Sequence, residues 1–144
     1  MSVYWDKYDT ANAAGSRLVK VDSDTYALYY YSDGTYVKTF DIPADGSTIT
    51  EVAKVKSPNS ISIGTVYMGD FIKSDQGFYI AASTYGNNTY VTTWTISDDG
   101  KTIAQKKYHS ISNFKDGVSV VQLDSDTYVF AATGYGRYYL NDSQ

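Results

Sequence analysis

A chain of 144 residues is about one domain's worth of polypeptide, and its 42% hydrophobic and 19% charged residues fit a packed globular unit better than a disordered one. The net charge of −4 would be repelled by a phosphate backbone, so nucleic acid is not an expected partner. No apolar run approaches the ~20 residues that cross a bilayer, and the absence of cysteine excludes disulfides and thiolate metal sites. Met1–Thr10 has neither the basic start nor the apolar segment of a secretory signal; the compartment stays open.

The 16 tyrosines are the compositional outlier. Tyrosine suits a pleated, half-buried surface, so the plain reading is strand composition. The functional reading is an aromatic binding surface, because the ring offers a flat apolar body with a polar tip.

In chain order, Val3-Tyr4-Trp5-Asp6-Lys7-Tyr8 has a strand pattern, and Asp9–Ser16 reads as loop. Strands are then predicted at Leu18–Val21, Tyr26–Tyr31, Tyr36–Ile42 and Ile49–Lys56. A second set follows at about Val66–Ile72, Phe78–Ser83, Tyr90–Ile96 and Ile103–Tyr108. A third set, Val118–Leu123, Tyr128–Thr133 and Arg137–Leu140, stops one strand short. Asp45-Gly46 and Asp99-Gly100 join third to fourth strands, and Asp-Gly is the strongest short hairpin signal.

The sets look like copies of one unit. Ser23-Asp24, Ser74-Asp75 and Ser125-Asp126 recur at a spacing of about 51 residues, and Val21–Tyr26 nearly repeats as Leu123–Tyr128. Tyr36–Ile42 likewise matches Tyr90–Ile96, with the extra length assigned to the Thr84–Thr89 hairpin. The expected organisation is one domain, 1–144, of three repeats at about 17–56, 64–109 and 117–140, the last completed by the strand at 2–8. An outer strand at one end of the chain and its absence at the other is the offset by which β-propellers latch their rings.

The predicted fold is therefore all-β: three four-stranded antiparallel blades, half of a six-bladed β-propeller closed by homodimerisation. Three blades alone fall short of the ~4–8 that make a propeller. A homotrimer of nine blades is the second option, and a monomeric β-trefoil is the alternative architecture. The expected latch comprises Val3, Tyr4, Trp5 and Tyr8 against Tyr138 and Leu140.

The segments 18–28, 36–52 and 121–129 resemble the highly repetitive β-propeller-type proteins of environmental and microbial origin, a family without an established function. The Asp-Gly step is also similar to blades of lactonase-type propellers. The resemblance implies the propeller and says nothing of activity.

Candidate sites are few. His109 is the single histidine and ends a predicted outer strand; no Gly-x-Ser-x-Gly nucleophile motif is present. Asp22-Ser23-Asp24 and Asp124-Ser125-Asp126 could suggest a hard cation, which wants six to eight oxygens, but Lys73 stands at the matching place in the middle copy. An Asx turn is the better reading. No metal, cofactor or catalytic residue is expected. Tyr31, Tyr85 and Tyr135 recur beside Gly34, Gly86 and Gly136 at the hairpin tips and are the candidate ligand-binding residues. The expected role is a non-enzymatic binding or structural scaffold. The alternatives are a glycan-binding lectin using those tyrosines, and a lactonase- or hydrolase-like propeller enzyme.

Overall fold

A computed structural model describes residues 15–59, 66–112 and 117–132, and the backbone of 137–141. Eleven strands are present among them: β1 (Ser16–Lys20), β2 (Thr25–Tyr31), β3 (Thr35–Asp41), β4 (Thr50–Lys56), β5 (Tyr67–Lys73), β6 (Tyr79–Tyr85), β7 (Asn88–Ile96), β8 (Ile103–Ser112), β9 (Val118–Gln122), β10 (Thr127–Ala132) and β11 (Arg137–Asn141). They form three antiparallel sheets in simple meander order: β1-β2-β3-β4, β5-β6-β7-β8 and β9-β10-β11. We call these the first, middle and last sheets.

The all-β expectation holds, and every predicted strand that falls on described residues is found within a few residues of its place; β8 runs on to Ser112, past the expected end. A trefoil would pair strands from different units in one closed barrel. The described strands pair only within their own meander, and no sheet closes on itself, so the trefoil is set aside. Val3, Tyr4, Trp5, Tyr8 and Tyr135, and the side chains of Tyr138 and Leu140, lie outside the described residues.

Burial explains how the sheets stack. β6 does not alternate apolar with polar; six of its seven residues are buried. Tyr79 and Ala81 face the first sheet, in a core with Val21, Ala27, Tyr29, Val37, Met68, Phe71 and Trp94. Ile80 and Ala82 face the last sheet, in a second core with Val91, Val118, Val120, Tyr128 and Phe130. A strand covered on both faces loses period-2 patterning, so β6 marks the middle layer. The first strands sit side by side, β1 against β5 and β5 against β9, so the sheets share one edge zone.

The turns set the register. Val21 N–H donates to the Thr25 carbonyl (2.8 Å), Ser74 N–H to Phe78 (2.8 Å) and Leu123 N–H to Thr127 (2.9 Å). Ser74 thus stands where Val21 and Leu123 stand, not where Ser23 and Ser125 stand. The matching Ser-Asp pairs in the sequence are out of step with the backbone in the middle sheet. The hairpin insertion is correspondingly smaller than the landmarks suggest. Thr84 pairs with Thr89 as Tyr31 pairs with Thr35, and Tyr85 pairs with Asn88 beyond them.

Candidate functional site

The acidic turns resolve as Asx turns. Asp22 Oδ1 accepts from the N–H groups of Asp24 (3.1 Å) and Thr25 (3.0 Å), and Asp124 Oδ1 accepts from Asp126 N–H (2.9 Å). Each carboxylate is held below its ordinary range, Asp22 by the N–H of Thr25 and then Asp24, Asp124 by the N–H of Asp126. The Asp-Gly turns use the same device. Asp45 Oδ1 accepts from Ser47 N–H (2.9 Å) and Asp99 Oδ1 from Lys101 N–H (3.1 Å), while Gly46 and Gly100 take φ of 65° and 67°. Asp99 is lowered to about 2, first by the Ser97 hydroxyl and then by Lys101 N–H. These oxygens are spent on their own loops. No group of three or more His, Asp or Glu side chains converges among the described residues. His109 is exposed on β8, opposite Val91 of β7.

The candidate tyrosines occupy unlike places. Tyr31 ends β2 buried in the core between the first and middle sheets, with little ring surface left for a ligand. Tyr85 is half-buried and packs against that core from the extra hairpin position. Thr84, not Tyr85, holds in the middle sheet the place that Tyr31 holds in the first. Gly86 carries φ of 60° at the hairpin tip, whereas Gly34 is absent from the left-handed region.

Among the described residues, a notch lies between the first and middle sheets. Tyr29, Thr35, Ser57, Asn59, Tyr90 and Tyr108 are among its walls. Tyr29 donates from Oη to Ser83 Oγ (3.2 Å) across the sheets. Tyr90 and Tyr108 stack with centroids 5.9 Å apart, and Ser57 Oγ bonds Gln105 Oε1 at 2.5 Å. The notch has a volume of about 10 Å³, room for roughly one water and far too little for a sugar ring. Sequence reasoning missed it because its walls come from β2, β3, the segment after β4, β6, β7 and β8, and no single segment signals the convergence.

Burial raises the hydroxyls of Tyr29 and Tyr79 to about 12. An acid whose folded pKa lies above its unfolded value near 10 stabilises the fold fully below pH 10, and that contribution is lost as pH climbs toward 12. Tyr29 alone should impose a loss of about 1.4 kcal/mol per pH unit across that window. Urea unfolding at stepped pH checks this. A midpoint that stays level from pH 10 to 12, or a slope unchanged in Tyr29→Phe, would contradict it.

No protein-family model and no curated protein matches the chain.

Proposed function

We propose that this chain is a non-enzymatic β-propeller repeat protein, a binding or structural scaffold, whose ring is completed by a second copy. One observation carries the reading: the two outer faces are counterparts of faces that pack inside the chain.

On the outward face of β1, Leu18 pairs with Leu28 and is 57% exposed. Phe71, paired with Ala81, and Val120, paired with Phe130, hold the same place and are 5% exposed each. At the other end, Leu123 is 59% exposed where Val21 is 3% and Ser74 is 4% exposed. Val121, 56% exposed, stands where Val19 packs on the core. Among the described residues, no sheet packs before the first sheet and none packs after the last. A head-to-tail contact between copies supplies both, and with two chains it closes after six sheets, within the usual range of propellers. Among the described residues, the aliphatic side chains left more than half exposed, Leu18, Val121 and Leu123, lie at those two ends, and such patches mark interaction surfaces.

The test is mass in solution by light scattering. A closed pair has about 32 kDa, twice the 16.0 kDa of the chain. A folded species at the single-chain mass under dilute conditions would end the proposal. Two features of the described residues fit a scaffold: the acidic turns bond their own backbone, and the notch admits about one water.

A further inference from the structure

The packing inside the chain specifies one contact of the seam between copies. Lys20, Lys73 and Gln122 hold the same place in the three sheets, each opposite a tyrosine near the start of the second strand: Tyr26, Tyr79 and Tyr128. Two of the three reach back to the first turn of the preceding sheet. Lys73 Nζ donates to the Val21 carbonyl. Gln122 Oε1 accepts from Asp75 N–H at 3.0 Å. Among the described residues, no sheet precedes the one that carries Lys20. It is exposed, with Nζ 5.9 Å from the Tyr26 ring centroid, much as Lys73 Nζ lies 5.7 Å from that of Tyr79. Tyr79 and Tyr128 are buried by the sheet before them, whereas Tyr26 is only half-buried.

We infer that Lys20 docks on the Leu123-Asp124 turn of a second copy, its ammonium donating to the Leu123 carbonyl. The inference rests on the ring proposed above. Val21, the acceptor's counterpart, turns into Asp22 as Leu123 turns into Asp124, and both turns close with the same backbone hydrogen bond. The charges agree: the receiving turn carries Asp124 and Asp126, both exposed, and their negative charge favours an approaching lysine even though Asp124 Oδ1 accepts Asp126 N–H and Asp126 Oδ1 accepts Gln76 Nε2. The apolar part agrees too. Leu18 and Tyr26 flank Lys20 on one copy, Val121 and Leu123 flank the turn on the other, and Leu18, Val121 and Leu123 are more than half exposed. Tyr30, Lys38 and Phe40, farther across the first sheet, are buried already, which confines the free surface to the β1 side. That is the side on which β5 meets β1, and β9 meets β5, within the chain.

The chain has no cysteine, so introduced thiols are the only ones present. Lys20→Cys/Asp124→Cys treated with a short bis-maleimide should give a covalent dimer on a denaturing gel. Lys106→Cys/Asp124→Cys, whose first site is exposed on β8, should not. Lys20→Glu, which sets a carboxylate against Asp124 and Asp126, should weaken self-association by about tenfold or more, read from mass against concentration. A covalent trimer would keep the seam and change the number of copies. A wild-type protein of dimer mass with no cross-link, and with Lys20→Glu assembling normally, would overturn this contact while leaving the ring. A wild-type protein of single-chain mass would overturn the ring itself.

Discussion

Gly69→Ala should cost more than 3 kcal/mol and free the last sheet from the middle one. A Cβ at Gly69 would lie 2.2 Å from Val118 Cγ1, 2.4 Å from the Val118 carbonyl oxygen and 3.0 Å from the Ala82 carbonyl oxygen. Val118 Cγ1 could rotate aside, but the oxygens belong to the backbone of β9 and β6 and move only with their strands. Gly69 sits where the β5–β6 register shifts between Met68 and Phe71. The same irregularity presents Asp70 to β9, where its Oδ2 accepts from Val120 N–H at 2.8 Å. Pushing β9 away therefore breaks that bond and opens the second core at Val118 and Val120. Domain stabilities run to about 5–15 kcal/mol in total, so the expected result is a protein that is partly unfolded or lacks exchange protection in β9 and β10. Gly77→Ala is the matched control. Gly77 has φ of 84° but nothing within 4 Å of its would-be Cβ, so it carries only the left-handed backbone cost of about 1–2 kcal/mol. If urea unfolding found Gly69→Ala as stable as Gly77→Ala, the close approach of β9 to β5 would be wrong.

The contrast between those glycines shows where sequence reading works and where it stops. Gly77, Gly46 and Gly100 sit beside Asp, Gln or Ser in turn-like stretches, and their positions as turns follow from residue type alone. Gly69 lies inside a run that reads as strand. A glycine there signals a bulge or a close neighbour, but the neighbour comes from β9, far along the chain, and no local pattern names it. The strands were legible because tyrosine, valine and threonine concentrate in runs bounded by Asp, Ser and Gly. The order of the layers was hidden at the same places: residues alternate along Val37, Thr39 and Asp41 against Phe40 and Ile42, yet Val37, Lys38, Thr39 and Phe40 are all buried. Lys38 is buried on the outward face of the first sheet, where Glu51 Oε2 stands 3.0 Å from its Nζ and the ring centroids of Tyr30 and Phe40 lie within 5.8 Å. The Ser-Asp landmarks misled for a related reason. Identity of letters is a weaker guide to register than the hydrogen bond that closes the turn, and in the middle sheet that bond begins at the serine itself. The candidate tyrosines fared likewise: Tyr31 and Tyr85 share a neighbourhood in sequence and not a position in the fold.

Trp94→Ala should be the most damaging truncation in the core between the first and middle sheets, at about 3–5 kcal/mol. The indole is wholly buried, between Tyr79 and Gln105 along the pleat, and its Nε1 donates to Thr92 Oγ1 at 2.8 Å. Alanine removes the largest fully buried side chain among the described residues and deprives Thr92 Oγ1 of its donor. Trp94→Phe keeps most of the volume and loses the donor, so about 1–2 kcal/mol is expected there. The pair of variants separates filling from hydrogen bonding, and chemical unfolding followed by circular dichroism reads both. A cost under 1 kcal/mol for Trp94→Ala would mean that the first sheet is not seated on this residue. Position sharpens the argument. Phe40 holds the matching place in the first sheet, paired with Tyr26 as Trp94 is paired with Tyr79, and the ring reading brings a partner's last sheet toward it. Phe40→Ala should then lower stability in a concentration-independent way through its own buried ring, while Leu18 and Lys20 govern the part that depends on concentration. If the proposed ring of two half-rings holds, Trp94 keeps the sheets of each half together before it meets the other, and β1 carries the contact between them.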